Sequence, residues 1–314
     1  MVAKEAAFSR CFTKFLLSEP ASFLYRAHLV LCMDLTGQKS LDAIVRKGAW
    51  NLSRDPIIVP SLESEGDNIY APCVLFEGGF YRMWYGGQAK DGHDRIHHAT
   101  SKDGVNWLKQ GVVIDNGASK HVNDPSVVKN KQGYFMYYSV ALEKDDECCI
   151  CLAHSSDGFK WQTVGKALDV SRDSWDSLEV ARPSVIFEEG IFKLWYDGFD
   201  GKDKRAGYAV SKDGFNFRKI GPVLDHVGAV SVQHIGGKYL MLFESGEGTW
   251  VATSDNEVDF GNKHVLISRS GSEHDAFGHV TPFLFCNNKE IAIYMGMATI
   301  KQWCRNRIGR AVPR

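Results

Sequence analysis

Apolar residues along this chain come in runs of four or five, broken by Gly, Asp or Pro. The stretch from Trp175 to Asp213 shows the pattern in full. A carboxylate-bearing loop (Asp176, Glu179) leads into Pro183-Ser-Val-Ile-Phe187. A Glu-Glu-Gly turn then leads into Phe192-Lys-Leu-Trp-Tyr196, and a polar loop into Gly207-Tyr-Ala-Val210. The turn Ser211-Lys-Asp-Gly-Phe-Asn-Phe217 follows. Short runs bounded by turn residues predict strands, and three in a row predict an antiparallel meander. One meander cannot bury both of its faces and needs copies of itself alongside.

The copies are present. The aromatic second strand recurs as Tyr81-Arg-Met-Trp-Tyr85, Tyr134-Phe-Met-Tyr-Tyr138, Phe192-Lys-Leu-Trp-Tyr196, Tyr239-Leu-Met-Leu-Phe243 and Glu290-Ile-Ala-Ile-Tyr294. The turn recurs from Ser101 to Trp107 and from Ser155 to Trp161, with a worn copy from Ser254 to Phe260. Multi-strand repeats of roughly 40–50 residues signal a propeller, so the expected fold is an all-β, five-bladed β-propeller over residues 49–314. Its blades are expected at 67–114, 120–168, 175–224, 226–267 and 275–312. The last blade ends after its third strand, whereas residues 50–59 resemble a spare outer strand. Together they close the ring and remove an exposed edge. Residues 1–48 do not fit the repeat and read as a short, partly helical N-terminal extension. Ser40 is a candidate cap for a helix through Arg46.

Composition narrows the function. Basic and acidic residues nearly balance, 37 against 38, with no basic run to hold nucleic acid. No apolar run is long enough to span a membrane, and the N-terminus lacks the apolar core of a secretory signal. The eight cysteines are scattered. Cys148, Cys149 and Cys151 lack zinc-site spacing, so a reducing, cytoplasmic setting is expected.

The loops that open the inner strands of a propeller ring one mouth of its central channel. Here they carry Asp67 and Tyr70, His121 and Asp124, Glu179 and Arg182, His226, and Asp275 and His279. Converging carboxylates suit glycoside cleavage, in which one group protonates the leaving oxygen and another activates the attacking group. The recurring Asp103, Asp157 and Asp213 stand before Gly in tight turns and read as structural. His97 and His98 read as structural too, and Trp84, Tyr85, Trp195 and Tyr196 as packing. Trp175 and Phe277 are candidates to stack on sugar.

The G-x-Y-x-M-W-Y and I-x-x-A-x-S-x-D-G-x-x-W strings, with acidic residues before the inner strands, resemble the five-bladed propeller glycosidases of families 43, 62, 32, 68, 117 and 130. The resemblance covers residues 50–314. In families 43 and 32 the site is an Asp from the first blade, an Asp-Pro from the second and a Glu near a Pro from the third. Asp124-Pro125 matches the second element, and Glu179, four residues before Pro183, matches the third. At the first, Ala71 precedes Pro72 and Asp67 lies upstream.

The resemblance implies a glycoside hydrolase acting on a carbohydrate, with inversion expected over retention. Glu179 is the expected acid and Asp67 the base, and Asp124 tunes the acid. Arg182, His279, Asp275, Tyr70, His121 and His226 are the expected substrate contacts. Three alternatives stay open: another base, a phosphorylase or transferase using Arg182 for phosphate, and a non-catalytic carbohydrate-binding propeller. No cofactor or catalytic metal is expected, though the axis has room for a structural ion such as calcium. Nothing in the sequence sets the oligomeric state.

Overall fold

A computed structural model describes residues 41, 44–142, 148–287 and 290–314. Its strands form five four-stranded antiparallel blades. Blade 1 holds β2 (Asn68–Glu77), β3 (Phe80–Gln88), β4 (Asp94–Ser101) and β5 (Trp107–Ile114). Blade 2 holds β6 (His121–Asn130), β7 (Gly133–Ala141), β8 (Cys148–Ser155) and β9 (Gln162–Leu168). Blade 3 holds β10 (Glu179–Glu188), β11 (Ile191–Phe199), β12 (Lys204–Ser211) and β13 (Arg218–Asp225). Blade 4 holds β14 (Ser231–Ile235), β15 (Lys238–Phe243), β16 (Gly248–Ser254) and β17 (Gly261–Ser268). Blade 5 holds β18 (His279–Cys286), β19 (Ile291–Ala298), β20 (Asn306–Pro313) and β1 (Trp50–Leu52).

The ring closes as the sequence pattern predicts. Trp50 pairs with Pro313, Asn51 with Val312 and Leu52 with Ala311, and Ile58 bridges Ile308. Strand β19 starts at Ile291, one residue later than expected, and β17 is a full eight-residue strand. Of the expected N-terminal helices, those before residue 41 and the cap at Ser40 lie outside the described residues. Leu41 and Ile44 pack with Trp50, Leu240 and Leu284 in one apolar cluster.

Apolar clusters fill the spaces between blades, built from the second-strand aromatics. Trp84, Tyr85, Trp195 and Tyr196 are fully buried. Two glycines make room for Trp175, which stacks on Tyr196 at 5.6 Å. A Cβ at Gly198 or Gly207 would stand 2.1 or 2.4 Å from its ring.

The repeated turns are held as expected. The Asp103 and Asp157 carboxylates each accept two following backbone amides, and so does Asp213. In blades 1 and 3 the other oxygen accepts from Asn106 or Asn216. Blade 4 is not worn at this level. Asn256 accepts the same two amides and donates to Asp259, with the two side-chain roles exchanged.

Along the axis the blades are stitched by side chains. Val127 N donates to Cys73 Sγ, Val185 N to Ser126 Oγ, and Val232 N to Ser184 Oγ.

Candidate active site

Each inner strand enters the channel through the same backbone irregularity. Ala71, Asp124, Arg182, Ala229 and Thr281, one per blade, all adopt positive φ, between 45° and 53°. A Pro follows four of them, and the strand registers slip there. Non-glycine residues in this region carry strain of about 1–3 kcal/mol each, and such strain gathers at functional sites. The bulge supplies a residue without a ladder bond, which aims its side chain toward the axis. These five residues and the Pro or Val after each line the axial cavity, of about 40 Å³.

Side chains at the ends of three second strands, and Thr281 from the blade 5 bulge, hold the bulges. Ser139 Oγ accepts from Arg182 N at 2.8 Å, and Asp197 accepts from Ala229 N at 2.9 Å. Glu244 Oε2 accepts from Thr281 N at 3.3 Å, and Thr281 Oγ1 from Ala71 N at 2.8 Å.

The third and fourth blades thus bring two carboxylates that the sequence reading missed. Asp197 is fully buried and pairs with Arg182 Nη1 at 3.0 Å. Lys204 Nζ lies 3.1 Å from Glu179, and Arg182 Nη1 3.6 Å from it. Asp124, Glu179, Asp197 and Glu244 surround Arg182, and Lys204 faces Glu179 and Asp197. The available signal was the acidic residue ending the apolar second strands of blades 3 and 4, after Tyr196 and after Phe243.

The carboxylates differ in what burial does to them. Asp124 is 8% exposed. Desolvation pushes it up to about 7, against the pull of Arg182 and the Ser139 hydroxyl bond. Its Oδ2 accepts from Ser139 at 3.1 Å, while Oδ1 has no partner. Burial also raises Asp197 and Glu244, opposed in both by Arg182. Burial works against the charge of Arg182, but Glu244, Asp197, Asp124 and Glu179 together hold its pKa well above the usual value.

The remaining expected residues divide. Tyr70 accepts from Asn123 Nδ2 at 2.9 Å, and its hydroxyl feels both Asp94 and Asp124. His121 pairs with Asp94 at 2.7 Å. Asp67 does not join the cluster: its half-exposed carboxylate pairs with Arg305, at 2.6 Å, and with Arg307. His279 and Asp275 are fully buried and 3.3 Å apart. Thr249 and Ser270 satisfy their other atoms, so the pair braces blade 5 away from the axial cavity. His226 is 75% exposed, 3.8 Å from Asp203. Asp176 is a clasp, buried against Lys219 at 2.5 Å and Tyr196 at 3.1 Å. Among the described residues no group of three or more His, Cys, Asp or Glu could hold a metal ion.

A five-bladed propeller whose inner strands converge on carboxylates and cations defines the class, that of the propeller glycoside hydrolases and phosphorylases. The chain belongs to glycoside hydrolase family 130: that family's profile, described as β-1,4-mannooligosaccharide phosphorylase, matches residues 123–306. The N-terminal domain profile of family 32 matches residues 49–183.

An uncharacterized protein of Mycobacterium tuberculosis is 38% identical over 151 residues, 45% of this chain and 49% of that protein. The 1,2-β-oligomannan phosphorylase of a Thermoanaerobacter species is 29% identical over 132 residues, 38% of this chain and 45% of that one. The matches thus span about half the length of these curated relatives. A family 117 glycoside hydrolase from Zobellia galactanivorans shares the fold at 15% identity and a TM-score of 0.69, covering 86% of this chain and 91% of that chain.

Proposed function

We propose that this chain hydrolyses a glycosidic bond in a mannose-containing oligosaccharide, with Asp124 as general acid and Glu179 as general base. The observation that carries the reading is Asp124 itself. It is a buried carboxyl raised to about 7, with one oxygen free of protein partners, beside the axial cavity. A carboxyl in that state holds a proton near neutral pH and has an atom from which to give it. The proton passes from Asp124 to the glycosidic oxygen as the bond from that oxygen to the anomeric carbon breaks. Water bonds to the anomeric carbon and gives its proton to Glu179. Unlike the fully buried Asp197, Glu179 is 22% exposed, and water reaches it. Attack by water gives inversion. The earlier roles are thereby reassigned: Glu179 moves from acid to base, and Asp67, held by Arg305 and Arg307, has none. The mannose assignment draws on the family description and on the oligomannan phosphorylase relative. Cys73, Cys148, Cys151 and Cys304 are free thiols, which suits a cytoplasmic setting.

Phosphorolysis is the second reading. Arg182 and Lys204 stand at the mouth, and the family description names a phosphorylase. Inorganic phosphate would then take the place of water on these two cations. Hydrolysis ranks first because both cations already carry carboxylate partners, Glu179 and Asp197.

The test is to incubate the protein with β-1,4- and β-1,2-mannobiose, with and without inorganic phosphate, and follow the products by NMR. Free mannose of inverted anomeric configuration, formed without phosphate, is the expected result. Mannose 1-phosphate formed only with phosphate replaces hydrolysis by phosphorolysis. Binding without cleavage makes the chain a carbohydrate-binding propeller.

A further inference from the structure

One row of residues behind the axial bulges departs from the repeat in the blade that carries the acid. Gly86, Ser139, Asp197 and Gly296 each pair with the residue just before a bulge, respectively Tyr70, Asn123, Ala181 and Val280. Glu244 stands at the same place in blade 4, its amide donating to the Gly228 carbonyl before Ala229. The row therefore reads Gly, Ser, Asp, Glu and Gly. Asp197 and Glu244 each accept the bulge amide of the next blade. An ionised carboxylate at this place can only accept. Ser139 brings a hydroxyl instead, which accepts and donates at once.

The bonds of that hydroxyl leave it one orientation. Ser139 is buried. Its Oγ accepts from Arg182 N at 2.8 Å and lies 3.1 Å from Asp124 Oδ2. A backbone amide can only donate, so Arg182 N takes one acceptor position of the hydroxyl. Among the described residues the Ser139 proton has Asp124 Oδ2 as its acceptor and no other. A buried hydroxyl proton is costly to leave unbonded, so it goes to Oδ2 whether Asp124 is charged or neutral. Oδ2 is then an acceptor in both states. When Asp124 holds a proton, that proton sits on Oδ1, the oxygen without a protein partner, on a residue that lines the axial cavity.

We infer that Ser139 is a positioning residue for the general acid: its hydroxyl, fixed by the Arg182 amide, holds Asp124 Oδ2 as an acceptor and so keeps the transferable proton on Oδ1. The inference rests on the glycan-cleaving reading and deepens it, because it says which atom of the acid gives the proton. Oδ1 loses that proton to the glycosidic oxygen as the bond from this oxygen to the anomeric carbon breaks. Ser139 keeps its own proton, and its bond to Oδ2 becomes a stronger one to a carboxylate. The groups that set the charge of the acid come from several strands. Burial raises its pKa, Arg182 of β10 and then the Ser139 bond lower it, and Glu244 after β15 and Asp197 of β11 raise it. Tyr70 of β2 and Cys148 of β8 also feel its charge. Removing the hydroxyl takes away one of the two lowering influences, so the pKa of the acid rises.

The experiment compares wild type, Ser139→Ala and Ser139→Thr in kinetics across pH on β-1,4- and β-1,2-mannobiose and on an activated aryl mannoside, and in melting temperature. It also reads the infrared carbonyl band of the protonated Asp124 carboxyl, isolated in each protein by subtracting the spectrum of the same protein with Asp124→Asn. Ser139→Ala should lower kcat on the mannobiose that is cleaved about 10–100-fold, the worth of one hydrogen bond to an ionisable group, and leave KM nearly in place. The aryl mannoside needs less proton donation and should lose far less. The alkaline limb of kcat/KM should move to higher pH in Ser139→Ala. Ser139→Thr keeps the hydroxyl and should restore both rate and limb. The carbonyl band should lie at the low wavenumber of a hydrogen-bonded carbonyl in wild type and move up in Ser139→Ala. A lowered melting temperature with kcat and limb unchanged would make Ser139 a fastener of the blade 3 bulge and overturn the inference. If Ser139→Ala does not fold, the wild-type band decides, because a free carbonyl there overturns the inference. A wild type that cleaves neither mannobiose overturns the glycan reading, and the band still decides which oxygen holds the proton.

Discussion

The aspartates at the rim of this propeller and those at its axis are chemically the same side chain in opposite circumstances. Asp103 and Asp157 sit in exposed turns where nearby groups donate hydrogen bonds to the carboxylate, and their pKa falls, led in Asp103 by Asn106 and in Asp157 by the Lys160 amide. Asp213 is lowered as well, because its donors outweigh partial burial. Asp124 and Asp197 sit where burial dominates and the pKa rises. The rim aspartates repeat because the turn repeats. The axial ones do not: the five bulge positions read Ala, Asp, Arg, Ala and Thr. In a repeat protein, recurrence marks what every blade needs in order to fold, and departures from it mark what the assembly does.

The sharpest way to break this contrast is at Asp124. Asp124→Asn should cut kcat/KM on an oligomannoside by about 10²–10⁴-fold, the usual contribution of a general acid. An activated aryl mannoside, whose leaving group needs less help, should lose far less. Equal losses on both substrates, measured by initial rates, would remove Asp124 from the acid role.

The same residue predicts a pH dependence. Its folded pKa, about 7, lies above the ordinary aspartate value of 3.8. The folded state therefore binds the extra proton, and the stabilisation is complete below the unfolded pKa and lost as pH rises through 7. From pH 5 to pH 8 the loss should be roughly 2–3 kcal/mol. Asp124→Asn should flatten this slope in urea titrations at several pH values. Activity of the wild type should decline over the same upper range.

Asp157→Ala sharpens the other side. Losing the two turn bonds should cost about 1 kcal/mol, read from the denaturation midpoint, with kcat per folded molecule unchanged. A collapse of activity at constant stability would move the rim aspartates into function.

The smallest effect tests the exchanged pair in blade 4. Asn256→Asp alone faces Asp259 with a like charge and should cost a few tenths of a kcal/mol. Adding Asp259→Asn rebuilds the arrangement of blades 1 and 3 and should recover it. A double variant no more stable than the single one would show that the pairing is incidental.

Local chemistry determined much of this protein in the sequence itself. Alternating short apolar runs gave five blades. Ser-x-Asp-Gly gave the turns, because Asp bonds amides two and three residues on and Gly takes positive φ. A missing outer strand at one end and a spare at the other gave the closure. The site was legible only in part. Asp124 and Glu179 could be placed on the inner strands by their spacing from Pro. Their environment could not be read, because desolvation and pairing come from residues on other strands and blades. Asp124 meets Ser139 across its own blade and Arg182 across the next. Lys204 and Asp197 reach Glu179 and Arg182 from neighbouring strands. Asp67 looked suitable for the base role until the fold brought Arg305 and Arg307 to it. Spacing along the chain fixes which strand carries a carboxylate; only the packed ring decides whether it stays hydrated, finds a cation, or keeps its proton.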